Sequence, residues 1–208
     1  MTIASYQSEA THRPVIIWRF DKPMHCLSSA SVGGGFATIE WLINATVEND
    51  FALTDLDGFV ASIAREHRLS GNGTGLLTAV DVNSVCWGRE QGIEVCATVG
   101  VNRPTWAAAE PEQRIGPVAG TINIVAVFPV ALSSAAAVNA VITITEAKSQ
   151  VLADAGVKGT GTASDAVAVL WYDDPSPAAE FCGPRSLWGA RLARATYSAV
   201  TNGLAERP

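Results

Sequence analysis

The sequence predicts one compact domain of mixed α and β structure (α+β), in which helices flank a central sheet. Short runs rich in β-branched and aromatic residues alternate with a few longer helical patterns, without a strict strand–helix–strand repeat. Hydrophobic residues make up 48% of the 208 residues, a balance typical of a globular protein. A chain of this length buries roughly 70% of the surface that it would expose unfolded, so we expect a substantial core.

Seven short segments have the composition of strands, because β-branched or aromatic residues fill them and turn residues bound them. They are residues 15–20, 40–47, 75–80, 83–87, 93–100, 121–128 and 165–172. We expect these segments to form the sheet of a single domain that spans residues 1–208. Residues 1–13 precede the first predicted strand and are expected to form a flexible N-terminal tail.

Two shorter segments have helical patterns. Residues 57–68 begin with Asp57, which is suited to cap a helix, and their apolar residues recur at helical spacing. Residues 187–202 are predicted to form the last helix, because Pro184 precedes them and the Asn-Gly pair at 202–203 is typical of a helix end. Both segments would lie against the sheet.

A longer helix is predicted between the sixth and seventh strands. Ser133 or Ser134 can cap its first turn, and the pattern runs to about Ala153, where Gly156 closes it. The β-branched run at residues 141–145 lowers helix propensity. A strand in this part of the chain is therefore the alternative.

Two segments rich in Pro, Gly and Ala, residues 103–120 and 173–183, are predicted to be long loops. Loops of this length in a compact domain often act as lids or binding loops, and a plain mobile excursion is the alternative. The glycines at 33–35, 71–75 and 159–161 predict either tight turns or close approach of the backbone to a ligand. None of them fits a nucleotide-binding glycine motif.

The charge and hydropathy patterns exclude several classes of function. The net charge is −6 and the basic residues are scattered, apart from a small cluster at Arg185, Arg191 and Arg194, so nucleic acid is not an expected partner. No apolar stretch approaches the roughly 20 residues that span a bilayer, and the N-terminus lacks a signal-peptide pattern. We therefore expect a cytoplasmic protein with no membrane span, and the sequence leaves a homo-oligomer open.

Metal and nucleophile motifs are absent from the sequence. The three histidines are isolated, and neither a zinc-protease helix motif nor a nucleophile elbow is present. The four cysteines are far apart, so we expect reduced structural thiols. They are Cys26, Cys86, Cys96 and Cys182. We expect neither a resident metal nor a cofactor.

Six short segments, spread from about Leu27 to Leu204, carry a family resemblance. They are Leu27-Ser28-Ser29-Ala30 with Gly33-Gly34-Gly35, Gly75-Leu76-Leu77-Thr78-Ala79, Gly120-Thr121-Ile122-Asn123-Ile124, Thr145-Glu146-Ala147-Lys148, Gly159-Thr160-Gly161-Thr162-Ala163-Ser164-Asp165-Ala166 and Ala193-Arg194-Ala195-Thr196-Tyr197. In this order they resemble the adenosylcobinamide amidohydrolase family. Each segment alone is a weak signal, whereas the ordered set is specific.

The resemblance implies hydrolysis of the amide that joins aminopropanol to the corrin ring of adenosylcobinamide, giving adenosylcobyric acid for coenzyme B12 salvage. It implies a small-molecule corrinoid substrate, and cobalt enters only as part of that substrate. The alternatives are a non-catalytic corrinoid-binding or carrier protein and an amidase for a different substrate.

The sequence departs from the family pattern in two places. Ser164 stands where the family usually has Thr, and the loop before Gly159 is short. Because Ser keeps a hydroxyl, we expect little change in the chemistry. The short loop leaves open which corrinoids are accepted.

Three ionisable residues in these segments are the catalytic candidates. On a helix, Lys148 falls on an otherwise apolar stripe. Loss of solvation there would lower the pKa of its ammonium, so that the lysine could transfer a proton near neutral pH. The alternatives are that the side chain reaches the edge of the helix or pairs with an acid. Glu146 would then lie on the opposite side, and would share the face of Lys148 only in a strand. Asp165 follows a hydroxyl-rich turn and leads a strand, which suits either catalysis or a local turn cap.

Small and hydroxyl-bearing residues of the same segments are the candidates for substrate binding. They are Ser29, Gly34, Gly35, Thr78, Asn123, Thr160 and Thr162. Asn123 interrupts an apolar run and is expected to face inward, where its amide needs partners from a structural network or from the substrate. Each hydroxyl is suited either to donate a hydrogen bond to the substrate or to stabilise a turn. We expect the segments to converge in one cleft.

Overall fold

A computed structural model describes residues 1–48, 54–110 and 120–205. In these ranges the chain forms one eight-stranded sheet and three α-helices. The strands are β1 (Thr2–Gln7), β2 (Pro14–Ser28), β3 (Gly35–Thr46), β4 (Gly73–Thr78), β5 (Cys86–Glu90), β6 (Ile93–Val99), β7 (Ile122–Val127) and β8 (Ala166–Trp171). The helices are α1 (Leu56–Glu66), α2 (Ser134–Asp154) and α3 (Leu187–Ala205). None of the helices so described is long and apolar enough to cross a membrane.

Strand β2 joins the two halves of the sheet. The strand order is β4-β3-β2-β8-β7-β6-β5, and β1 also pairs with β2. The first half of β2 pairs with β1 and its second half pairs with β8. The register of β2 against β3 shifts between Arg19 and Met24, where β2 changes partner. Irregularities of this kind bend a strand, so β2 passes from one half of the sheet to the other.

Three buried clusters show that the sheet folds onto itself. The inner cluster combines Leu42 and Leu76 from one half with Val125 and Leu170 from the other half. Helix α1 covers the outer face of β2 and β3, and helices α2 and α3 cover the outer face of β6, β7 and β8. The layers are therefore helix, sheet, sheet and helix. Each fully buried aliphatic side chain contributes about 1.5–3 kcal/mol to this packing.

A helix connects the strands of each parallel pair, as parallel strands require a crossover. Helix α1 links β3 to β4, and α2 links β7 to β8. The two strands of a parallel pair start at the same end of the sheet. The residues that precede β7 and β8 therefore lie side by side, and so do the residues that follow β3 and β4.

All seven predicted strands are present, but their ends differ from the prediction. The predicted strand at 15–20 is only part of β2, which continues through its bulge to Ser28. Residues 82–84 form a short 3₁₀ turn, so β5 begins at Cys86 rather than at residue 83. The mixed α and β class, with helices on both sides of a central sheet, is confirmed.

Helix α2 is continuous, so the alternative of a strand at residues 141–145 is wrong. Ser133 caps it, since the Ser133 hydroxyl accepts from the backbone N–H of Ala136 at 3.1 Å. Gly156, with a φ of +70°, follows the C-cap residue Ala155 as predicted. Burial of one face of α2 against the sheet outweighs the weak helix propensity of the β-branched residues.

Three other expectations, one about the N-terminal residues and two about the ends of helices, differ from the structure. Residues 2–7, predicted to belong to a flexible tail, form β1 and pair with β2. None of these six side chains is fully buried, so no continuous apolar run marks the strand in the sequence. Asp55, rather than Asp57, caps α1. Helix α3 continues past the Asn-Gly pair, because Gly203 is buried against the side chain of Val99.

The four cysteines are free and buried, as predicted. Burial raises the pKa of the Cys26 and Cys182 thiols to about 11 and that of Cys96 to about 12. These thiols are therefore protonated at neutral pH. A protonated, buried thiol is a poor nucleophile, which favours a structural role.

Candidate active site

The carboxyl ends of β3 and β4 meet the amino ends of β7 and β8 at a cleft of about 200 Å³. Hydroxyl groups line much of it, from Ser31, Thr78, Thr121 and Ser164. Glu48 is the one ionisable residue among the described lining residues. The cleft exists because the bent sheet brings the end of one parallel pair against the start of the other.

Two hydroxyl groups on the wall of the cleft are hydrogen-bonded to each other. The Oγ1 of Thr121 and the Oγ of Ser164 are 2.7 Å apart, and Ser164 Oγ also lies 3.4 Å from the carbonyl oxygen of Gly120. Thr121 is buried, whereas Ser164 is exposed. One hydrogen joins the two oxygens, and the Ser164 hydroxyl can donate its own hydrogen to the Gly120 carbonyl over the long distance of 3.4 Å. A ligand in the cleft would compete with that long bond for the hydrogen.

A nearly buried ion pair holds the amino ends of β7 and β8 together. The ammonium of Lys148 donates to Asp165 Oδ2 at 2.5 Å, and the two side chains are only 9% and 12% exposed. Asp165 also accepts from the backbone N–H of Ile122 at 2.9 Å, from the N–H of Thr162 at 3.1 Å and from the Thr162 hydroxyl at 2.5 Å. Four donors occupy the acceptor sites of the carboxylate. Neither Lys148 nor Asp165 lines the cleft.

Gly161 is required by the position of this ion pair. A Cβ atom added to Gly161 would lie 2.3 Å from Asp165 Oδ2 and 2.6 Å from the Nζ of Lys148. Both distances are far below van der Waals contact. The turn at 159–165 therefore needs glycine where it passes over the ion pair.

Residues 105–107 contact the same turn. Thr105 donates its N–H to the carbonyl oxygen of Gly161 at 2.8 Å, and Thr160 donates its N–H to the carbonyl of Thr105 at 3.0 Å. Trp106 is 54% exposed beside this contact. The predicted loop at 103–120 is thus hydrogen-bonded to the turn at residues 105–107, and residues 111–119 lie outside the described residues. The other predicted loop, residues 173–183, is tied to α2, because the Thr143 hydroxyl donates to the backbone carbonyl oxygen of Cys182 at 2.7 Å.

Asn123 faces inward, as predicted, and belongs to a buried polar network. Its Nδ2 donates to Asn44 Oδ1 at 2.9 Å and to the carbonyl oxygen of Leu77 at 3.0 Å. Asn44 in turn donates to the hydroxyl of Thr98 at 3.2 Å. These bonds join β3 and β4 to β6 and β7 across the inner layer. The network thereby fixes the two halves of the sheet around the cleft.

The sequence matches the adenosylcobinamide amidohydrolase family over residues 2–207. The chain belongs to this family. It is therefore a hydrolase that acts on an amide bond. The adenosylcobinamide amidohydrolase of Methanosarcina mazei is 29% identical over 184 residues, which cover 85% of this chain and 88% of that protein.

Two solved structures show a weak likeness to this amidohydrolase. A Pyrococcus horikoshii protein aligns with a TM-score of 0.45 at 13% identity, covering 94% of this chain and 78% of that chain. The L-aminopeptidase D-Ala-esterase/amidase of Ochrobactrum anthropi aligns with a TM-score of 0.38 at 9% identity, covering 98% and 82%. Across residues 1–48, 54–110 and 120–205 of the amidohydrolase, no group of three or more His, Cys, Asp and Glu side chains is placed to hold a metal ion.

The amidohydrolase brings Lys148 and Asp165 together but leaves Glu146 apart. Lys148 pairs with an acid, one of the alternatives expected from the sequence. Glu146 is exposed on the other side of α2, as a helical segment implies. The hydroxyls of Thr160 and Thr162 already have partners within the protein. Thr162 donates to Asp165, and Thr160 accepts from the N–H of Ala107 at 3.1 Å.

The remaining predicted binding residues lie at or near the cleft. Thr78 lines it directly, and its hydroxyl accepts from the N–H of Val80 at 3.1 Å. Ser29 is exposed in the turn between β2 and β3, and its hydroxyl accepts from the N–H of Val167 at 3.0 Å. Gly34 belongs to the same turn, whose Ser31 lines the cleft, and Gly35 is the first residue of β3. A positive φ of 90° at Gly35, where the turn joins β3, supports the interpretation that this glycine serves a tight turn.

Four polar residues that line the cleft, Ser31 among them, were missed as site residues from the sequence. Thr121 and Ser164 carried a usable signal, because each precedes a predicted strand within a matched family segment. Hydroxyl residues at the same end of two parallel strands lie close together once the strands pair. Glu48 carried no such signal, since its place depends on the bend that brings β3 to β7.

Proposed function

We propose that this amidohydrolase cleaves the amide between aminopropanol and the corrin ring of adenosylcobinamide, releasing adenosylcobyric acid for coenzyme B12 salvage. The observation that carries the proposal is the meeting of three family segments, 75–79, 120–124 and 159–166, each of which supplies residues to the wall of the cleft. Family membership supports the amide chemistry. The name of the Methanosarcina mazei relative supports the choice of substrate.

The size of the cleft suits the side arm of the substrate. At about 200 Å³ it is smaller than the roughly 300–1,000 Å³ of pockets that enclose drug-sized ligands. A corrin ring is larger than such ligands and stays outside, while the short aminopropanol arm enters. Trp106, exposed on the segment that packs against the 159–165 turn, offers an apolar surface on which the ring can rest.

Hydrolysis adds water to the carbonyl carbon, breaks the C–N bond and transfers a proton to the departing nitrogen, so that a carboxylate and an amine leave. Negative charge develops on the carbonyl oxygen and needs donors that are already in place. The hydroxyl pair of Thr121 and Ser164 provides such a donor at the cleft. We assign Ser164 to contact with the reacting amide.

Lys148 and Asp165 act from behind the cleft in this proposal. Because four donors already occupy Asp165, it cannot accept a proton without losing one of these bonds. Its bonds to Ile122 and Thr162 instead fix the chain on either side of the hydroxyl pair. The ion pair thus positions Thr121 and Ser164, and direct proton transfer by either residue is the alternative to be tested.

The decisive experiment is incubation of the purified protein with adenosylcobinamide, with adenosylcobyric acid and free aminopropanol measured by chromatography. We expect equal amounts of both products. Ser164→Ala should lower kcat/KM by about 10²-fold, as loss of one oxyanion donor does, while the control Ser164→Thr keeps the hydroxyl and most of the activity. Tight corrinoid binding without either product would indicate a carrier. Cleavage of other amides alone would indicate a different amidase.

A further inference from the structure

An ion pair lies at the rim of the cleft. Glu48, two residues after β3, lines the cleft, and Arg13, immediately before β2, binds it through two hydrogen bonds. The Nε of Arg13 donates to Oε1 at 2.6 Å and Nη2 donates to Oε2 at 2.5 Å. The two side chains are 41% and 58% exposed. Because both side chains reach solvent, a competing cation can approach the Glu48 carboxylate and replace the guanidinium there.

The backbone holds Glu48 at the cleft even though its side chain reaches solvent. The N–H of the preceding residue, Val47, donates to the carbonyl oxygen of Thr78 at 2.8 Å. This bond fixes the end of β3 against the end of β4. Glu48 therefore lines the same small cleft as the hydroxyl pair of Thr121 and Ser164.

We propose that Glu48 binds the ammonium group of the departing amine. This inference rests on the proposed function, because that reaction releases aminopropanol. An alkylamine such as the lysine side chain has a pKa of about 10.4, so the released amine is a cation at neutral pH. A carboxylate forms charge-assisted hydrogen bonds with such a cation.

The attraction to Glu48 is selective for the product. The nitrogen of the substrate amide is uncharged, so it gains the full interaction only when the C–N bond breaks and the nitrogen takes a proton. Arg13 competes for the same carboxylate. The amine and the guanidinium therefore exchange on Glu48 in each turnover.

Product inhibition tests this assignment. Hydrolysis of adenosylcobinamide is measured with added 1-amino-2-propanol, and in parallel with 1,2-propanediol, in which a neutral hydroxyl replaces the amine. In the wild type the amine should inhibit at lower concentration than the diol. Glu48→Gln should raise the inhibition constant of the amine about tenfold, the effect of losing one hydrogen bond to a charged group, and leave that of the diol unchanged.

Two further variants sharpen the test. Arg13→Gln should lower the inhibition constant of the amine, because the competing guanidinium is gone. Glu94→Gln is the matched control, since it removes an exposed carboxylate that is paired with Arg89 at the opposite end of the β6–β7 pair. It should change neither inhibition constant. Thermal melts establish that each variant is folded.

Equal inhibition of the wild type and Glu48→Gln by the amine would overturn the assignment, and so would inhibition by the diol as strong as that by the amine. A ligand-observed NMR titration with 1-amino-2-propanol measures binding without turnover. If the wild type releases no aminopropanol, the proposed function fails. Amine binding in that titration that is lost in Glu48→Gln would still support the site, so the two failures are distinguishable.

Discussion

Lys148→Met removes the ammonium from the nearly buried ion pair while keeping a side chain of similar length. The Lys148 and Asp165 side chains are 9% and 12% exposed, so water cannot readily replace the lost cation. Removing one partner of a buried ion pair costs about 3–5 kcal/mol, because the other charge is left without compensation. Asp165 keeps its three bonds from Ile122 and Thr162. We therefore expect the low end of that range, about 3 kcal/mol.

Urea unfolding followed by tryptophan fluorescence measures this loss, and the chain offers six tryptophans. In a domain of this size 1 kcal/mol shifts Tm by about 2–4 °C, so Lys148→Met should melt about 6–12 °C below the wild type. Lys22→Met, at an exposed lysine in the bulge of β2, is the control and should melt within about 2 °C of the wild type. A free energy of unfolding for Lys148→Met within about 1 kcal/mol of the wild type would contradict a structural contribution of the pair.

The same variant separates a part in catalysis from a purely structural role. If the pair positions the reacting hydroxyls or transfers a proton, Lys148→Met and Asp165→Asn should lower kcat by about 10² or more while corrinoid affinity stays within a few-fold. If the pair only stabilises the site, activity should fall in proportion to the folded fraction. Near-wild-type turnover in a well-folded Lys148→Met protein would remove this lysine from the mechanism.

Three other outcomes follow from the site and the core. Gly161→Ala should destabilise the protein by about 1–3 kcal/mol in urea unfolding, because its Cβ would lie 2.3 Å from the carboxylate of Asp165. Iodoacetamide at neutral pH should label Cys26, Cys96 and Cys182 only after unfolding, since burial raises the pKa of these thiols to about 11–12; peptide mass spectrometry reads the labelling. Hydrolysis should persist in the presence of EDTA, and activity lost to the chelator and restored by zinc would overturn the expectation that no metal is needed.

The parts of the fold that were predictable from sequence depend on local patterns. The strands appear as β-branched runs, and α2 appears through its cap at Ser133 and its apolar stripe. That stripe also placed Lys148 against the core and put Glu146 on the other side. The order of the family segments then identified the family without any knowledge of their distances in space.

The parts that were missed depend on contacts between distant segments. Residues 2–7 form a strand by pairing with β2, a contact with residues 14–19 that their own short sequence does not reveal. The donors around Asp165 come from three separate elements, so its saturation cannot be read from its neighbours in sequence. The cleft itself requires the bend in β2, and Glu48 becomes a candidate only when that bend is known.

The pairing of β2 with β8 has a consequence for the making of the protein. It joins residues far apart in the chain; Ser28 donates to the carbonyl oxygen of Val167, 139 residues later. At about 5–20 residues per second, a ribosome needs roughly 7–28 s to synthesise that interval. During this time the second half of β2 presents an unpaired edge, the kind of surface on which nascent chains aggregate. The long strand that joins the two halves of the sheet is thus also a segment of the nascent chain that is prone to aggregate until β8 is synthesised.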